Sequence, residues 1–152
     1  MKKLYGSYED WAEMEGKELG VTKYITITQE QINAFADATL DHQWIHTDVD
    51  RAKKESPFGT TIAHGYLTVS LIPHLVFSLF NLDKSSMVIN YAINEIKFSQ
   101  PVRVNSRVRL KASVSEAKNL RGMIKVTYLI SLEIEDNNKP AYSGSVTIIY
   151  KY

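Results

Sequence analysis

A six-residue stretch, Asp41–His46, holds one carboxylate and two imidazoles. It follows a run with helical periodicity and precedes Asp48, a residue type that often begins a helix. Carboxylates and imidazoles are side chains that commonly transfer protons in enzymes, and loops carry a large share of catalytic residues. We therefore predict that Asp41 and His46 form a proton-transfer pair, in which one group takes a proton and the other gives one.

A second stretch, Ala63-His64-Gly65, lies where a long segment without charged residues takes on a helical pattern. The first backbone N–H groups of a helix lack an intrahelical acceptor, and a glycine allows a ligand to come close to the backbone. The N–H of Gly65 is therefore predicted to stabilise the oxyanion that develops on a carbonyl substrate. This stretch and Asp41–His46 would form the two walls of one active site.

Each of these assignments has an alternative without chemistry. Asp41 would then cap the loop that precedes it, and His46 would pack beneath Asp48. Gly65 would serve a tight turn, and Ser70 would donate to the backbone carbonyl four residues earlier. The spacing of the residues leaves both interpretations open.

A metal site is a further interpretation of the same residues. Asp41, histidines of the loop and His64 would supply a two-histidine, one-carboxylate site. His42 and His46 would need a helix to bind one ion, whereas a helix is predicted to begin only at Asp48. The chain has no Cys, which excludes a thiolate nucleophile and a Cys-ligated metal. We therefore expect neither a metal nor a redox cofactor.

The periodicity of the chain places the two stretches in an α+β domain. Residues 21–27 alternate like a half-buried strand, and Thr28 with Gln31 forms a capping-box pattern for a helix that reaches about Ala38. Residues 66–80 are apolar all round, which predicts a long buried helix. Four later segments have the period of antiparallel strands, and these are residues 87–98, 107–114, 123–135 and 141–152. We expect an antiparallel sheet of about five strands, four of them a meander, wrapped around the long helix.

Length and charge limit the class of protein. A chain of 152 residues is most simply one domain, here residues 1–152, with residues 1–20 as an N-terminal arm that docks on the core edge. The 18 basic and 17 acidic side chains are mixed along the sequence, so nucleic acid is not an expected partner. The apolar segment is interrupted by Pro73 and too short to span a membrane, and no apolar run follows the N-terminal lysines. We expect a cytoplasmic protein that does not bind membranes.

The same residues resemble a known family, the MaoC-like dehydratases, which include the (R)-specific enoyl-CoA hydratases with the hydratase 2 motif and the hot-dog fold. The resemblance is nearest to the branch that includes nodulation protein N. It covers nearly the whole chain and runs through residues 15–20, 35–39, 41–46, 63–67 and 90–102.

This resemblance implies reversible hydration of a trans-2-enoyl thioester to the (R)-3-hydroxyacyl thioester. The acyl group would be carried by coenzyme A or by a carrier protein, and coenzyme A would enter only as part of the substrate. The resemblance also implies a homodimer whose sheets join edge to edge. The alternatives are an acyl-CoA thioesterase of the same fold and a non-catalytic module that binds acyl thioesters.

The resemblance also gives roles to individual residues. Asp41 would position and activate the water, His46 would share the proton transfer, and the N–H of Gly65 would hold the thioester oxygen. Gln43 matches an Asn of the family motif and would orient the water or the dyad. The supporting or substrate-binding residues would be Gln43, His64, Ser70 and Tyr91.

Leu40 departs from the family pattern, which has Gly directly before the catalytic Asp. A glycine at such a position often has a positive φ, which a leucine resists. The backbone geometry before Asp41 is therefore the point at which this chain would differ from its relatives, and it is the hint for a site that binds without catalysis.

Overall fold

A computed structural model describes residues 3–152. The helices are α1 (Tyr8–Ala12), α2 (Gln29–Thr39), α3 (Trp44–Thr47), α4 (Val49–Glu55), α5 (Gly65–Ser70) and α6 (Ile72–Phe77). The strands are β1 (Glu18–Val21), β2 (Ile25–Thr26), β3 (Met87–Phe98), β4 (Arg107–Asn119), β5 (Met123–Ile134) and β6 (Tyr142–Lys151).

The strands form one antiparallel sheet with the order β1-β4-β5-β6-β3, and β2 also pairs with β4. One face of the sheet is apolar because every second residue is buried along much of β4 and β5, as Val108 and Leu110 are on β4. This face shares one core with α5 and α6, through residues such as Leu67 and Leu75. The predicted α+β architecture is therefore confirmed, with six strands in the described residues instead of about five.

The predicted strand 21–27 is replaced by two pieces: β1 begins within the predicted N-terminal arm and ends at Val21, and β2 covers only Ile25–Thr26. Both pieces, β1 and β2, pair with β4. Between them the hydroxyl of Thr22 accepts the N–H of Leu110 at 2.9 Å. A side chain thus replaces the backbone carbonyl at this point of the ladder, and regular pairing is interrupted.

The prediction of one long helix is wrong in its length. The segment contains two short helices, α5 and α6, which meet at Leu71. Pro73 lies in the first turn of α6, where its missing N–H is tolerated, but it could not continue a helix from α5. The segment is also not buried all round, because Tyr66 is 74% exposed.

The predicted four-stranded meander is also wrong, because β3 pairs with β6 and not with β4. The connection between β3 and β4 forms backbone hydrogen bonds with residues 61–63. Val102 accepts the N–H of Ala63 at 2.8 Å, and the N–H of Val104 donates to Thr61 at 3.0 Å. This pairing fixes the backbone directly before His64.

The N-terminal segment packs Tyr5 and Trp11 into the core. The indole of Trp11 lies between Tyr5 and Tyr150, with ring centroids 4.4 and 5.2 Å away. Its Nε1 donates to the hydroxyl of Tyr152 at 3.0 Å. The first two residues of the predicted arm lie outside the described residues, and the assignment of 1–152 to a single domain stays a prediction.

The helices in the described part of the chain include none that is both long and apolar enough to cross a membrane.

Candidate active site

The helix α2 delivers the chain to Asp41. Thr28 and Gln31 form the predicted capping box, with side chain to backbone hydrogen bonds in both directions. The helix ends at Leu40, which has φ 63° and ψ 18°. Leu40 thus adopts the left-handed conformation itself, at a cost of about 1–2 kcal/mol for a residue with a Cβ. Leu40 is 81% exposed and does not pack in the core. The backbone before Asp41 therefore has the left-handed conformation that a glycine would also adopt.

His46 lies in α3, a short helix that the sequence analysis treated as loop. The backbone carbonyl of His46 accepts the amide Nε2–H of Gln29 at 2.7 Å. The Oε1 atom of Gln29 accepts the hydroxyl of Thr61 at 2.6 Å. Gln29 therefore links His46 to the extended stretch that precedes His64. The position of Gln29 on α2 gave no indication of this role.

The imidazole of His46 is buried and has a defined tautomer. Its Nδ1 lies 2.7 Å from the carbonyl oxygen of Ile62. Because a carbonyl only accepts, Nδ1 carries the proton and Nε2 keeps a free lone pair. Burial lowers the pKa of His46, and the hydrogen bond to Ile62 opposes that shift only in part. His46 is thus a neutral base at neutral pH.

His64 is more deeply buried, with only 2% of the residue exposed. Its Nε2 donates to the backbone carbonyl of Asp41 at 2.9 Å. Its ring stacks on that of His46, with centroids 3.8 Å apart and planes 27° apart. Within residues 3–152 its Nδ1 is buried without a hydrogen-bond partner. The ring thus contacts both Asp41 and His46.

The carboxylate of Asp41 is exposed at the mouth of the site. Its Oδ2 lies 4.0 Å from Nε2 of His64, and its Oδ1 lies 3.5 Å from the backbone nitrogen of Gln43. One oxygen of Asp41 and one nitrogen of each histidine, His46 and His64, all lie within 4.8 Å of one another. The two groups of the predicted proton-transfer pair are thus neighbours.

The two stacked histidines are poorly arranged to ligate one metal ion. A ring nitrogen ligates along a lone pair in the ring plane, at about 2.0–2.1 Å from the ion. The rings of His46 and His64 are stacked, with centroids 3.8 Å apart and planes inclined by 27°. Their two ring planes therefore intersect farther from the ring nitrogens than a metal–nitrogen bond is long. The predicted helix start at Asp48 is confirmed for α4. The short helix α3 before it contains His46 but not His42, so these two histidines do not share a helix. That the protein needs no metal stays a prediction.

Gly65 is the first residue of α5, directly after His64. The first intrahelical hydrogen bond runs from the N–H of Thr68 to the carbonyl of His64, at 3.3 Å. Gly65 is required for space and not for a turn, because a Cβ at this position would lie 2.9 Å from Cε1 of Phe98. Its backbone therefore approaches the aromatic wall as closely as a glycine allows.

Asp41, His46, His64 and Gly65 line one pocket of about 530 Å³. Phe98, next to Gly65, also lines it. The structure therefore brings the two predicted stretches to one site.

Ser70 and Tyr91 lie elsewhere. They line a second pocket of about 510 Å³ between α5, α6 and β3. The hydroxyl of Ser70 donates to the carbonyl of Tyr66, four residues earlier, at 2.8 Å. This is the alternative contact considered for Ser70, and it leaves both residues outside the Asp41 pocket.

Gln43 and His42 remain at the surface. Gln43 is the residue before α3, and its exposed side chain leaves the predicted role in orienting water as a prediction. The ring of His42 lies 3.6 Å from the carboxylate of Asp37. His42 thus lies beside Asp37 of α2. It is not among the residues that line the pocket.

Comparison with known families agrees with this geometry. The family model described as MaoC like domain matches residues 10–135, which include every residue of the Asp41 pocket except Ala141. The chain belongs to the MaoC-like domain family. The predicted resemblance is therefore confirmed for most of the chain.

Two relatives of this MaoC-like chain are similar over almost its full length. The 3-hydroxyacyl-thioester dehydratase Z of Mycobacterium tuberculosis is 42% identical over 149 residues, which are 97% of this chain and 98% of that protein. Nodulation protein N of Rhizobium meliloti is 43% identical over 148 residues, which are 96% of this chain and 92% of that protein. The predicted branch is thus confirmed as well.

The fold is also that of a solved relative. The unliganded R-hydratase from Pseudomonas aeruginosa has a TM-score of 0.73 with this chain, at 18% identity, and the match covers 99% of this chain and 89% of that chain. At this identity the likeness concerns the fold alone. It confirms the predicted hot-dog architecture.

Proposed function

We propose that this MaoC-like protein is an (R)-specific hydratase, which adds water reversibly to a trans-2-enoyl thioester and forms the (R)-3-hydroxyacyl thioester. The observation that carries the proposal is the meeting of Asp41 and neutral His46 with Gly65 in one pocket. Hydration of a polarised double bond requires groups that move a proton and a group that stabilises charge on the carbonyl oxygen.

The protein is an enzyme of the hydratase and dehydratase class. Membership of the MaoC-like domain family supports this. So does the name of its 42% identical relative, a 3-hydroxyacyl-thioester dehydratase. The acyl group and the stereochemistry are the parts that we propose for this chain.

In the proposed reaction, the Asp41–His46 pair takes a proton from water as the water oxygen bonds to C3 of the substrate. The π electrons of the C2–C3 double bond move toward the thioester carbonyl, whose oxygen becomes negative. The proton then passes from the pair to C2, the carbonyl re-forms, and both side chains return to their first state. The free Nε2 lone pair of His46 and the exposed carboxylate of Asp41 suit this exchange.

The N–H of Gly65 is proposed to hold the thioester oxygen while that negative charge exists. It precedes the first intrahelical hydrogen bond of α5, so no carbonyl within the helix competes for it. Loss of one such donor typically costs about 3–4 kcal/mol of activation free energy. The close contact between Gly65 and Phe98 leaves little room for water on that side of the backbone.

We also propose a homodimer that joins at β3. Among the described strands β3 is the last of the sheet on its side, and such an edge offers unpaired backbone groups. It carries five large hydrophobic side chains that are exposed, namely Met87, Ile89, Tyr91, Ile93 and Phe98. Exposed apolar edges of this kind are typical of surfaces that pair with another chain. The pocket that contains Ser70 and Tyr91 lies beside this edge, which would place it near the partner and the acyl chain.

Coenzyme A is proposed as the head group of the substrate only, with no resident metal or redox cofactor. A carrier-protein thioester is the alternative head group. A cytoplasmic location likewise stays a prediction.

The test is to measure hydration of trans-2-enoyl-CoA substrates of several chain lengths and to determine the configuration of the product. We expect the wild type to form the (R) product and the variants Asp41→Asn and His46→Gln to lose most activity. His42→Gln is the matched control, because His42 is a histidine of the same stretch that does not line the pocket. Thiol release from a saturated acyl-CoA would select the thioesterase instead, and acyl-CoA binding without any turnover would select the binding module.

A further inference from the structure

Tyr142 lies in the core behind the pocket wall that contains Gly65. It is a fully buried residue of β6. Its hydroxyl donates to the backbone carbonyl of Thr68 at 3.1 Å. Burial raises the pKa of this hydroxyl, so it remains a neutral donor.

Thr68 connects Tyr142 to Gly65 through hydrogen bonds. Its side chain is buried in the second half of α5, and its Oγ1 donates to the carbonyl of Gly65 at 2.6 Å. The amide N–H of Thr68 donates to the carbonyl of His64 at 3.3 Å. Thr68 therefore links the core hydroxyl of Tyr142 to both peptide groups that flank the Gly65 α-carbon.

Phe98 makes a second connection between Tyr142 and Gly65. Its ring meets that of Tyr142 edge to face, with centroids 6.0 Å apart and planes at 88°. Atoms of the same ring lie 2.9–3.4 Å from the position that a Cβ of residue 65 would take. Thr68 and Phe98 thus both contact Gly65, and both also contact Tyr142.

We propose that Tyr142 is a positioning residue for the reaction. Through Thr68 and Phe98 it keeps the peptide of Gly65 in one orientation, so that the N–H remains directed at the substrate oxygen. The proposal rests on the proposed function, which gives that N–H its role. Thr68 and Phe98 line the pocket, whereas Tyr142 lies behind them and acts only through them.

The test compares Tyr142→Phe with Tyr128→Phe. Each change removes one hydroxyl from a fully buried tyrosine, and in each case one hydrogen-bond partner is left behind. Tyr128 bonds Tyr150 at 2.8 Å and does not line the pocket, so Tyr128→Phe reports the general cost of losing a core hydroxyl.

For Tyr142→Phe we expect kcat for enoyl-CoA hydration to fall on the order of tenfold with KM changed less than about twofold, because only the orientation of a transition-state contact is lost. Tyr128→Phe should keep the wild-type kcat while its melting temperature falls by a similar amount. Equal kcat values for the two variants would overturn the proposal. So would a rise in KM for Tyr142→Phe with kcat unchanged.

Thr68 provides a second pair of variants in case Tyr142→Phe does not fold. Thr68→Ser keeps the hydroxyl and should retain kcat, whereas Thr68→Val keeps the shape and should lose it. Wild-type kcat in Thr68→Val would overturn the proposal. A wild-type enzyme without hydratase activity would instead contradict the proposed function, so the two failures are distinguishable.

Discussion

The imidazole of His64 lies on the imidazole of His46 at a centroid distance of 3.8 Å, while its Nε2 bonds the backbone carbonyl of Asp41 at 2.9 Å. One buried ring therefore contacts both members of the proposed catalytic pair. A residue from the second predicted stretch thus lies against both of them.

This contact predicts that His64→Phe lowers kcat while the fold persists. The phenyl ring can keep the stacking on His46 but cannot donate to Asp41, so the loop loses its tether. We expect kcat to fall on the order of tenfold or more. Stability should change by less than about 1 kcal/mol, since the freed carbonyl of exposed Asp41 can bond water.

The measurement is kcat together with urea unfolding. His64→Gln is the companion variant, because its side-chain amide offers a donor without a ring. Wild-type turnover in His64→Phe would show that the tether has no role in the reaction.

The left-handed Leu40 predicts that Leu40→Gly stabilises the protein. Glycine adopts a φ of 63° without strain from a Cβ. After allowance for the greater freedom of glycine in the unfolded chain, the gain is roughly 0.5–1 kcal/mol. The free energy of unfolding in urea measures this, and hydratase activity should be unchanged because Asp41 keeps its place.

Ala38→Gly is the control for Leu40→Gly. Ala38 lies within α2 on its exposed side, where a glycine should destabilise by roughly 0.5–1 kcal/mol. If both glycine variants lose stability, the left-handed conformation of Leu40 is not a source of strain.

The lowered pKa of His46 predicts a pH dependence on the acid side. Burial is the largest cause of the shift below the ordinary value of 6.5. Because the folded-state pKa lies below the unfolded one, the unfolded chain binds the proton more readily. The contribution to stability is therefore full above pH 6.5 and is lost as pH falls through the folded-state pKa.

Two profiles measure this effect. The acid limb of kcat/KM should have its midpoint below pH 6.5, since the free base form of His46 is the active one. The stability of His46→Gln should fall less steeply than that of wild type as pH falls below 6.5. Activity that is instead lost as pH rises through this range would mean that His46 works as a cation.

The contact between Gly65 and Phe98 predicts that Gly65→Ala is harmful through crowding. A methyl group would lie 2.9 Å from the ring, which costs roughly 1–3 kcal/mol when neighbours must shift. Alanine keeps the backbone N–H, so the loss of kcat should arise from displacement. Leucine at position 98 is smaller than phenylalanine and makes room for the methyl group. The double variant Gly65→Ala/Phe98→Leu should therefore recover both stability and part of kcat. If it recovers stability and no kcat, Phe98 itself is needed for turnover.

Local patterns in the sequence predicted the elements that are fixed by local contacts. Thr28 and Gln31 begin α2 because their side chains satisfy backbone groups only three residues away. Asp48 caps α4 for the same reason, through the N–H of Arg51 at 2.9 Å. Such caps are readable because both partners lie within one helical turn.

Contacts between distant parts of the chain could not be predicted in this way. The pairing of residues 61–63 with 102–104 replaced the expected hairpin between β3 and β4, and nothing local marks it. The same pairing brings His64 beneath Asp41. Spacing therefore identified the two stretches of the site, whereas the stacking of His46 on His64 depends on contacts that span the whole domain.

The most direct test of the account is a double-mutant cycle on kcat for enoyl-CoA hydration, with wild type, Asp41→Asn, His46→Gln and the double variant. A pair that transfers one proton as a unit predicts that each single change lowers kcat by about 10²–10⁴-fold and that the double change lowers it little further. Wild-type kcat in either single variant, or losses that simply multiply in the double variant, would contradict a joint role of Asp41 and His46.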